Sequence, residues 1–149
     1  MTTAVHLAGP DDLDRLLSLM ERFHAEAALP YDDTHRRRAA TPLLDDSPHG
    51  AIWLIGPQRA PLGYVLISFG WSVALAGPEG FVHEIFVRPS VRGRGIGTEV
   101  LHAIAVSLTQ SGLRALHVRL DQADALSARF CARVGFAPRP QTVLMTDVL

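Results

Sequence analysis

The chain has 149 residues, of which 48% are apolar, with 14 basic side chains against 15 acidic ones. The near-zero net charge excludes the broad basic surface that nucleic-acid binding requires, and the composition excludes a disordered chain. The single cysteine excludes an internal disulfide, and no apolar run approaches the length of a membrane span. The N-terminal residues lack the pattern of a secretory signal, so a cytoplasmic protein is expected.

The order of the predicted elements describes one domain, residues 1–149, of the α/β or α+β class. In chain order the elements are a strand over 3–7, helices over about 11–29 and 34–44, strands over 51–55, 62–71 and 81–87, a helix from 96 to 112, a strand over 115–120, a helix over 123–134 and a strand over 142–148. Apolar periodicity and the interrupting Gly and Pro residues define them. In this order, βααβββαβαβ, helices are expected to flank a mostly antiparallel mixed sheet.

Three consecutive arginines, Arg36, Arg37 and Arg38, lie in the predicted second helix. The favoured interpretation is a solvated helix face, because charged side chains on a helix usually face water. The alternative interpretation is a wall that attracts an anionic substrate.

The most informative segment is VRGRGIG, residues 91–97, which links the strand ending at Val87 to a long helix. Glycines let the backbone approach a phosphate, and the unpaired N–H groups and dipole of a helix N-terminus attract an anion. A dinucleotide fingerprint is excluded, because the turn reads G-x-G-x-G and His117 and Arg119 occupy the region of the expected acidic residue. A P-loop is excluded because the chain has no lysine. The pattern predicts another phosphorylated ligand; a tight corner that binds nothing is the disfavoured alternative.

In this context the segment VRPSVRGRGIG, residues 87–97, resembles the [RQ]-x-x-G-x-[GA] hallmark of the GCN5-related N-acetyltransferases. Downstream, FCARVGF at 130–136 resembles the second signature of that family, a helix that closes on GF. The resemblance covers essentially the whole chain and implies acetyl-CoA as co-substrate, with its pantetheine arm along the strand edge at Phe86 and Val87. It implies a pyrophosphate site on the backbone N–H groups of Arg92, Gly93, Arg94, Gly95, Ile96, Gly97 and Thr98.

Acetyl transfer to an amine requires a general base, because the substrate ammonium must lose a proton. Glu84 is the candidate base, since the resemblance implies a carboxylate on this strand, and the N–H of Val87 is the candidate donor to the thioester oxygen. His83 is the rival base. The alternation of strand side chains directs it to the opposite face, although a bulge at this strand end would exchange the faces. The histidines show no metal-ligand spacing, so no metal is expected.

The chain departs from the family pattern at two positions of the last helix. Cys131 stands where the resemblance implies a tyrosine that protonates the leaving thiolate, and Asp124 stands where it implies an asparagine that contacts the coenzyme. Because they are seven residues apart, both are expected on the helix face that looks at the pantetheine arm. The departures concern the general-acid step and leave pyrophosphate binding unchanged.

The predicted function is an acetyl-CoA-dependent N-acetyltransferase that acts on a primary amine of a small molecule or peptide by direct attack in a ternary complex. The alternative is a non-catalytic acyl-CoA-binding sensor or regulatory module, which the changes at Cys131 and Asp124 favour slightly. Residues 84–101 also resemble the corresponding stretch of diamine acetyltransferases; polyamines, amino acids, aminoglycosides and protein N-termini are open as acceptors. No nucleic-acid or membrane partner is expected, and a homodimer is an open option.

Overall fold

The computed structural model describes residues 2–149 of the chain. It contains two compact units, the first ending at Arg119 and the second comprising Leu120–Leu149. In chain order the first unit contains β1 (Val5–Leu7), α1 (Leu13–Glu26), α2 (Asp33–Ala40), β2 (Gly50–Ile55), β3 (Gly63–Ser72), β4 (Gly77–Val87), α3 (Ile96–Gln110) and β5 (Ala115–Val118). The second unit contains α4 (Ala125–Val134).

The five strands form one sheet in the order of the chain, from β1 to β5. Strands β1 to β4 are antiparallel neighbours, whereas β5 pairs with β4 in the parallel direction. A parallel pair needs a long crossover, and α3 supplies it. The prediction of a mostly antiparallel mixed sheet with helices is therefore confirmed.

Helix α1 covers the face of the sheet from which Tyr64 and Leu66 project. Its apolar residues recur every three or four positions, which places them on one side of the helix. The core on this face contains Leu16, Leu17, Met20, Ile52, Leu54, Tyr64, Leu66 and Phe86. Val65 and Ile67 of β3 are also fully buried, but they project from the opposite face because strand side chains alternate.

The starts and ends of the helices follow local chemistry. Asp32 caps α2, since its carboxylate accepts the backbone N–H of His35 at 2.8 Å. The helix ends at Ala40 and continues as a 3₁₀ turn over Thr41–Leu44, so the predicted helix to position 44 was too long. Asp12 precedes α1, but its side chain does not cap that helix; the carboxylate accepts the N–H of Gly9 instead.

The arginine run in α2 is not a uniformly solvated face, and this favoured interpretation was wrong for one residue. Arg36 is buried, and its guanidinium donates a hydrogen bond to the carbonyl oxygen of Tyr31 at 2.7 Å. Arg37 is exposed and pairs with Asp33 one turn earlier. Arg36 therefore ties the segment before α2 to the helix rather than facing a substrate.

The predicted final strand over 142–148 is also wrong, because residues 142–149 adopt no regular structure. A strand requires a neighbouring strand that accepts and donates its backbone hydrogen bonds, and the alternating apolar pattern does not supply one. Val143, Met145 and Val148 are more than four-fifths exposed, so these side chains contribute nothing to the core.

Candidate active site

The turn before α3 presents a row of backbone N–H groups. Gly93 and Gly95 have φ angles of +81° and +76°, which favour glycine, and a Cβ built at either position would meet no atom within 4 Å. Across residues 2–149, the N–H groups of Gly93 through Thr98 donate no hydrogen bond to the protein, whereas the N–H of Arg92, which was predicted to belong to this row, is bonded to the carbonyl oxygen of Pro89. Since α3 begins at Ile96, the last three of these groups belong to its first turn, where the helix dipole favours an anion. The residues present therefore fit a phosphate-bearing group.

The guanidinium of Arg92 is engaged in an ion pair and is not free to bind a ligand at this turn. Its guanidinium binds the Glu26 carboxylate through both Nη atoms at 2.7 and 2.8 Å, and its Nε donates to the carbonyl oxygen of Val87 at 2.7 Å. This contact raises the pKa of Arg92, and the Arg92 hydrogen bond lowers the pKa of Glu26. The end of α1 is thereby tied to the turn, and the charge of Arg92 is neutralised by its ion pair with Glu26.

The end of β4 leaves one backbone edge open within the first unit. Strand β5 pairs with β4 only as far as Val82, opposite Val118. On the other edge, the N–H of Arg88 bonds to the carbonyl of Leu62, so the alternation of an antiparallel ladder directs the N–H groups of Ile85 and Val87 away from β3. The N–H groups of Ile85 and Val87 therefore face the edge of β4 that β5 no longer pairs with beyond Val82.

A β-bulge in β4 brings His83 and Glu84 to the same side of the sheet. The register shifts there by one residue, opposite Leu66 and Ile67. His83 bonds to Ser68 and Glu84 bonds to Tyr64, and these two partners project from one face of the regular strand β3. The assignment of His83 to the opposite face by simple alternation is therefore wrong, because a bulge inserts one extra residue and resets the period.

The carboxylate of Glu84 lies between two hydrogen-bonding side chains from other elements. The hydroxyl of Tyr64 donates to Oε1 at 2.7 Å, and Nε2 of His24 lies 2.7 Å from Oε2. Burial, together with the charge and hydrogen bond of Glu84, strongly raises the pKa of Tyr64, so this hydroxyl keeps its proton. The Glu84 side chain is 15% exposed, which leaves it reachable from one side.

His24 and Tyr64 were missed as functional residues in the sequence. Nothing in the spacing links position 24 to position 84, and Tyr64 has the appearance of an ordinary apolar strand residue. Only the packing of α1 on the sheet brings the two side chains to one carboxylate.

His83 lies beside Glu84 but in different surroundings. Its Nε2 is 2.7 Å from the hydroxyl of Ser68. Burial and the nearby charge of Arg119 lower the pKa of His83, against a smaller opposing effect of Glu84. His117, on β5, packs its ring at a tilt of 33° against Phe81, and within residues 2–149 it forms no hydrogen bond to Glu84.

Asp124 and Cys131 belong to the second unit. The carboxylate of Asp124 caps α4 by accepting the N–H of Ser127 at 3.0 Å. Cys131 is buried, and burial followed by the charge of Asp124 raises the pKa of its thiol. Both features are typical of structural roles: a helix cap for Asp124 and a small buried apolar side chain for Cys131.

The family of the chain is shown by comparison with known proteins. The sequence profile of the acetyltransferase (GNAT) family matches residues 13–136, and the chain therefore belongs to that family. An uncharacterized N-acetyltransferase of Methanocaldococcus jannaschii is 31% identical over 77 residues, which are 51% of this chain and 34% of that protein. The match thus spans about a third of that relative.

Solved structures share the fold over nearly the whole chain. An integron cassette protein from the mobile metagenome of Cole Harbour Salt Marsh is 30% identical, with a TM-score of 0.84 over 97% of this chain and 90% of the other. The aminoglycoside N-acetyltransferase AAC(6′)-Iy, solved in complex with CoA, is 17% identical, with a TM-score of 0.81 over 97% and 94%. At that identity the second likeness concerns the fold alone.

Among residues 2–149, none of the helices combines the length and the apolar character that a membrane-spanning segment requires. The same residues contain no group of three or more His, Cys, Asp or Glu side chains that would hold a metal ion.

Proposed function

We propose that the chain is an acetyl-CoA-dependent N-acetyltransferase that uses Glu84 as its general base and acts on a primary amine of a small molecule or peptide. The observation that carries the proposal is the position of Glu84 on β4. The strand leads from this carboxylate, through an open backbone edge at Ile85 and Val87, to the row of N–H groups over Gly93 to Thr98. The candidate base, the open backbone edge of β4 for the pantetheine arm and the anion site thus follow one another along the chain.

The proposed roles of the turn and the edge are binding roles. The N–H groups of residues 93–98 bind the pyrophosphate of acetyl-CoA, and the dipole of α3 favours its charge. The open edge of β4 at Ile85 and Val87 holds the pantetheine arm through backbone hydrogen bonds; Phe86, which the sequence also predicted there, directs its N–H towards β3 instead. The N–H of Val87 then lies next to the thioester and stabilises the charge that develops on its oxygen.

The proposed role of Glu84 is to accept a proton. An ammonium has no lone pair, so the amine becomes a nucleophile only when the carboxylate takes a proton from it, directly or through one water. Tyr64 and His24 hold the two oxygens of Glu84 in place, and each oxygen keeps a lone pair for that proton. Direct attack in a ternary complex then needs no covalent intermediate on the protein.

The acceptor is proposed only as an amine. AAC(6′)-Iy is an aminoglycoside N-acetyltransferase, and aminoglycosides are polyamines. Because that likeness is one of fold, aminoglycosides join small polyamines, amino acids and peptide N-termini as amines to test.

The alternative function is a non-catalytic acyl-CoA-binding sensor, favoured by the cysteine at position 131. A panel of these amines, assayed with acetyl-CoA for release of the free coenzyme thiol, distinguishes the two functions. Steady turnover with any amine supports the enzyme. Tight acetyl-CoA binding without turnover on the whole panel supports the sensor, and absence of binding contradicts both.

A further inference from the structure

We infer that His24 is a positioning residue for the proposed general base: it donates its Nε2–H to Glu84 and does not itself carry the proton of the reaction. The inference rests on the proposed function of Glu84. It is carried by a side chain that is 3% exposed, whose Nε2 lies 2.7 Å from the Glu84 carboxylate and whose Nδ1 has no hydrogen-bond partner within residues 2–149.

The hydrogen-bond donors and acceptors around His24 are compatible with one tautomer of its imidazole. An ionised carboxylate has no hydrogen to donate, so the nitrogen that faces Glu84 must carry the hydrogen. The other nitrogen, Nδ1, is then a bare lone pair. It lies in aromatic surroundings, with the rings of Phe23 and Tyr31 at 5.7 and 5.0 Å from the imidazole. A hydrogen on Nδ1 would be a buried donor without an acceptor, which is costly.

This tautomer excludes a relay through the imidazole. A relay needs a bare nitrogen towards Glu84 to receive the proton and a second nitrogen with an outlet to water. Here the nitrogen towards Glu84 already carries hydrogen, and the bare nitrogen is enclosed. The proton taken from the amine therefore stays on Glu84 until it leaves by the exposed side of that carboxylate.

The consequence for catalysis is geometric and electrostatic. Tyr64 from β3 and His24 from α1 each donate a hydrogen bond to one oxygen of Glu84, so its carboxylate is held in one orientation. A hydrogen bond donated to a carboxylate also favours its ionised form over the protonated carboxyl. Two further groups affect this site: His83, next to Glu84 in β4, and Arg119, whose charge acts on His83.

The test compares His24→Met, which keeps the bulk but removes the donor, with His24→Gln, whose amide nitrogen is as many bonds from Cβ as Nε2. In His24→Met we expect kcat to fall by about tenfold, less than the 10²- to 10⁴-fold effect of a general base itself. The acidic limb of the pH profile of kcat/KM should move to higher pH, and KM for acetyl-CoA should not change. His24→Gln should restore both kcat and the limb to near the parent values.

A matched control comes from the same helix. Met20 is buried one turn before His24 and has no donor, so Met20→Val should lower Tm without moving the acidic limb. If His24→Met leaves the limb in place, or if His24→Gln behaves like His24→Met, the role of His24 is packing and the inference is wrong.

The tautomer provides a readout that does not depend on turnover. Long-range ¹H–¹⁵N NMR of the imidazoles at neutral pH should show His24 with hydrogen on Nε2, and this signal should shift in Glu84→Gln. Hydrogen on Nδ1 would overturn the inference whatever the activity. A chain that binds acetyl-CoA but acetylates no amine would overturn the proposed function, while the NMR result would still decide whether His24 donates to Glu84.

Discussion

The turn over residues 93–98 and the contacts of Glu84 lie at the two ends of one stretch of chain, yet they are built differently. The turn presents backbone N–H groups from consecutive residues, so neighbouring sequence alone assembles it. The carboxylate is held by Tyr64 and His24, which are 20 and 60 positions away along the chain. Changes in the turn should therefore affect coenzyme binding, whereas changes around Glu84 should affect turnover.

The largest expected effect separates turnover from binding. Glu84→Gln keeps the shape of the side chain but removes the base, so turnover at neutral pH should fall by about 10²- to 10⁴-fold. Affinity for acetyl-CoA, measured by calorimetry, should stay within about twofold, because the turn is intact. Raising the pH should recover part of the loss, since more of the acceptor amine is then already neutral.

His83→Gln is the matched control for Glu84→Gln, because both residues lie at the bulge and face the same side. We expect a much smaller loss of turnover, since His83 hydrogen-bonds to Ser68 and, among residues 2–149, forms no hydrogen bond to Tyr64 or His24. If His83→Gln shows the large, pH-recoverable loss and Glu84→Gln does not, then His83 is the base.

The second prediction concerns the turn. A branched side chain at position 95 would occupy the space proposed for the pyrophosphate and block the backbone N–H groups around it. Gly95→Val should therefore weaken acetyl-CoA binding by at least about a hundredfold, because two or more charge-assisted hydrogen bonds to the pyrophosphate, each worth about 1.5–3 kcal/mol, are lost. Its control is Gly112→Val at the end of α3. Gly112 also has a positive φ, +99°, and open space around its missing Cβ, so both variants carry similar backbone strain. A comparable loss of Tm in both with weakened binding in Gly95→Val alone supports the turn; unchanged affinity of folded Gly95→Val contradicts it.

Removal of the ion pair between Glu26 and Arg92, which joins the end of α1 to the turn, should have a smaller effect. Glu26→Gln removes the carboxylate that neutralises Arg92, so one more positive charge faces the proposed pyrophosphate site. Affinity for acetyl-CoA should rise, but by less than about fivefold, because exposed ion pairs are worth at most ~1 kcal/mol. The gain should disappear at high salt. A loss of affinity at low salt would instead make Glu26 the group that holds Arg92 in its binding position.

The smallest effect is expected in the second unit. Cys131→Ala should keep turnover within about tenfold of the parent, below the 10²-fold that a genuine general acid supplies. The thiol is buried and its pKa is raised, so it should also react with iodoacetamide more slowly than a free cysteine at pH 8. A loss of turnover above a hundredfold, with acetyl-CoA binding intact, would make the thiol a working group of the site.

The order of elements from β1 to α4 and the glycine turn were predictable from the sequence. Both depend on interactions between residues close along the chain: apolar spacing, helix caps and the left-handed backbone at Gly93 and Gly95. The predicted strand over 142–148 was wrong because a strand depends on a distant neighbour. Arg36 was misjudged for the same reason, since its burial depends on how α2 packs and not on its own charge.

By itself, the sequence determined the class of fold, the segment that presents backbone N–H groups and the strand that carries the candidate base. These features are local, because an α-helix, a tight turn and strand alternation each repeat within a few residues. Only the tertiary structure decided that His83 and Glu84 share one face, through a bulge, and that His24 and Tyr64 hold Glu84. Those contacts join elements up to 60 residues apart, and their geometry exists only once α1 has packed on the sheet.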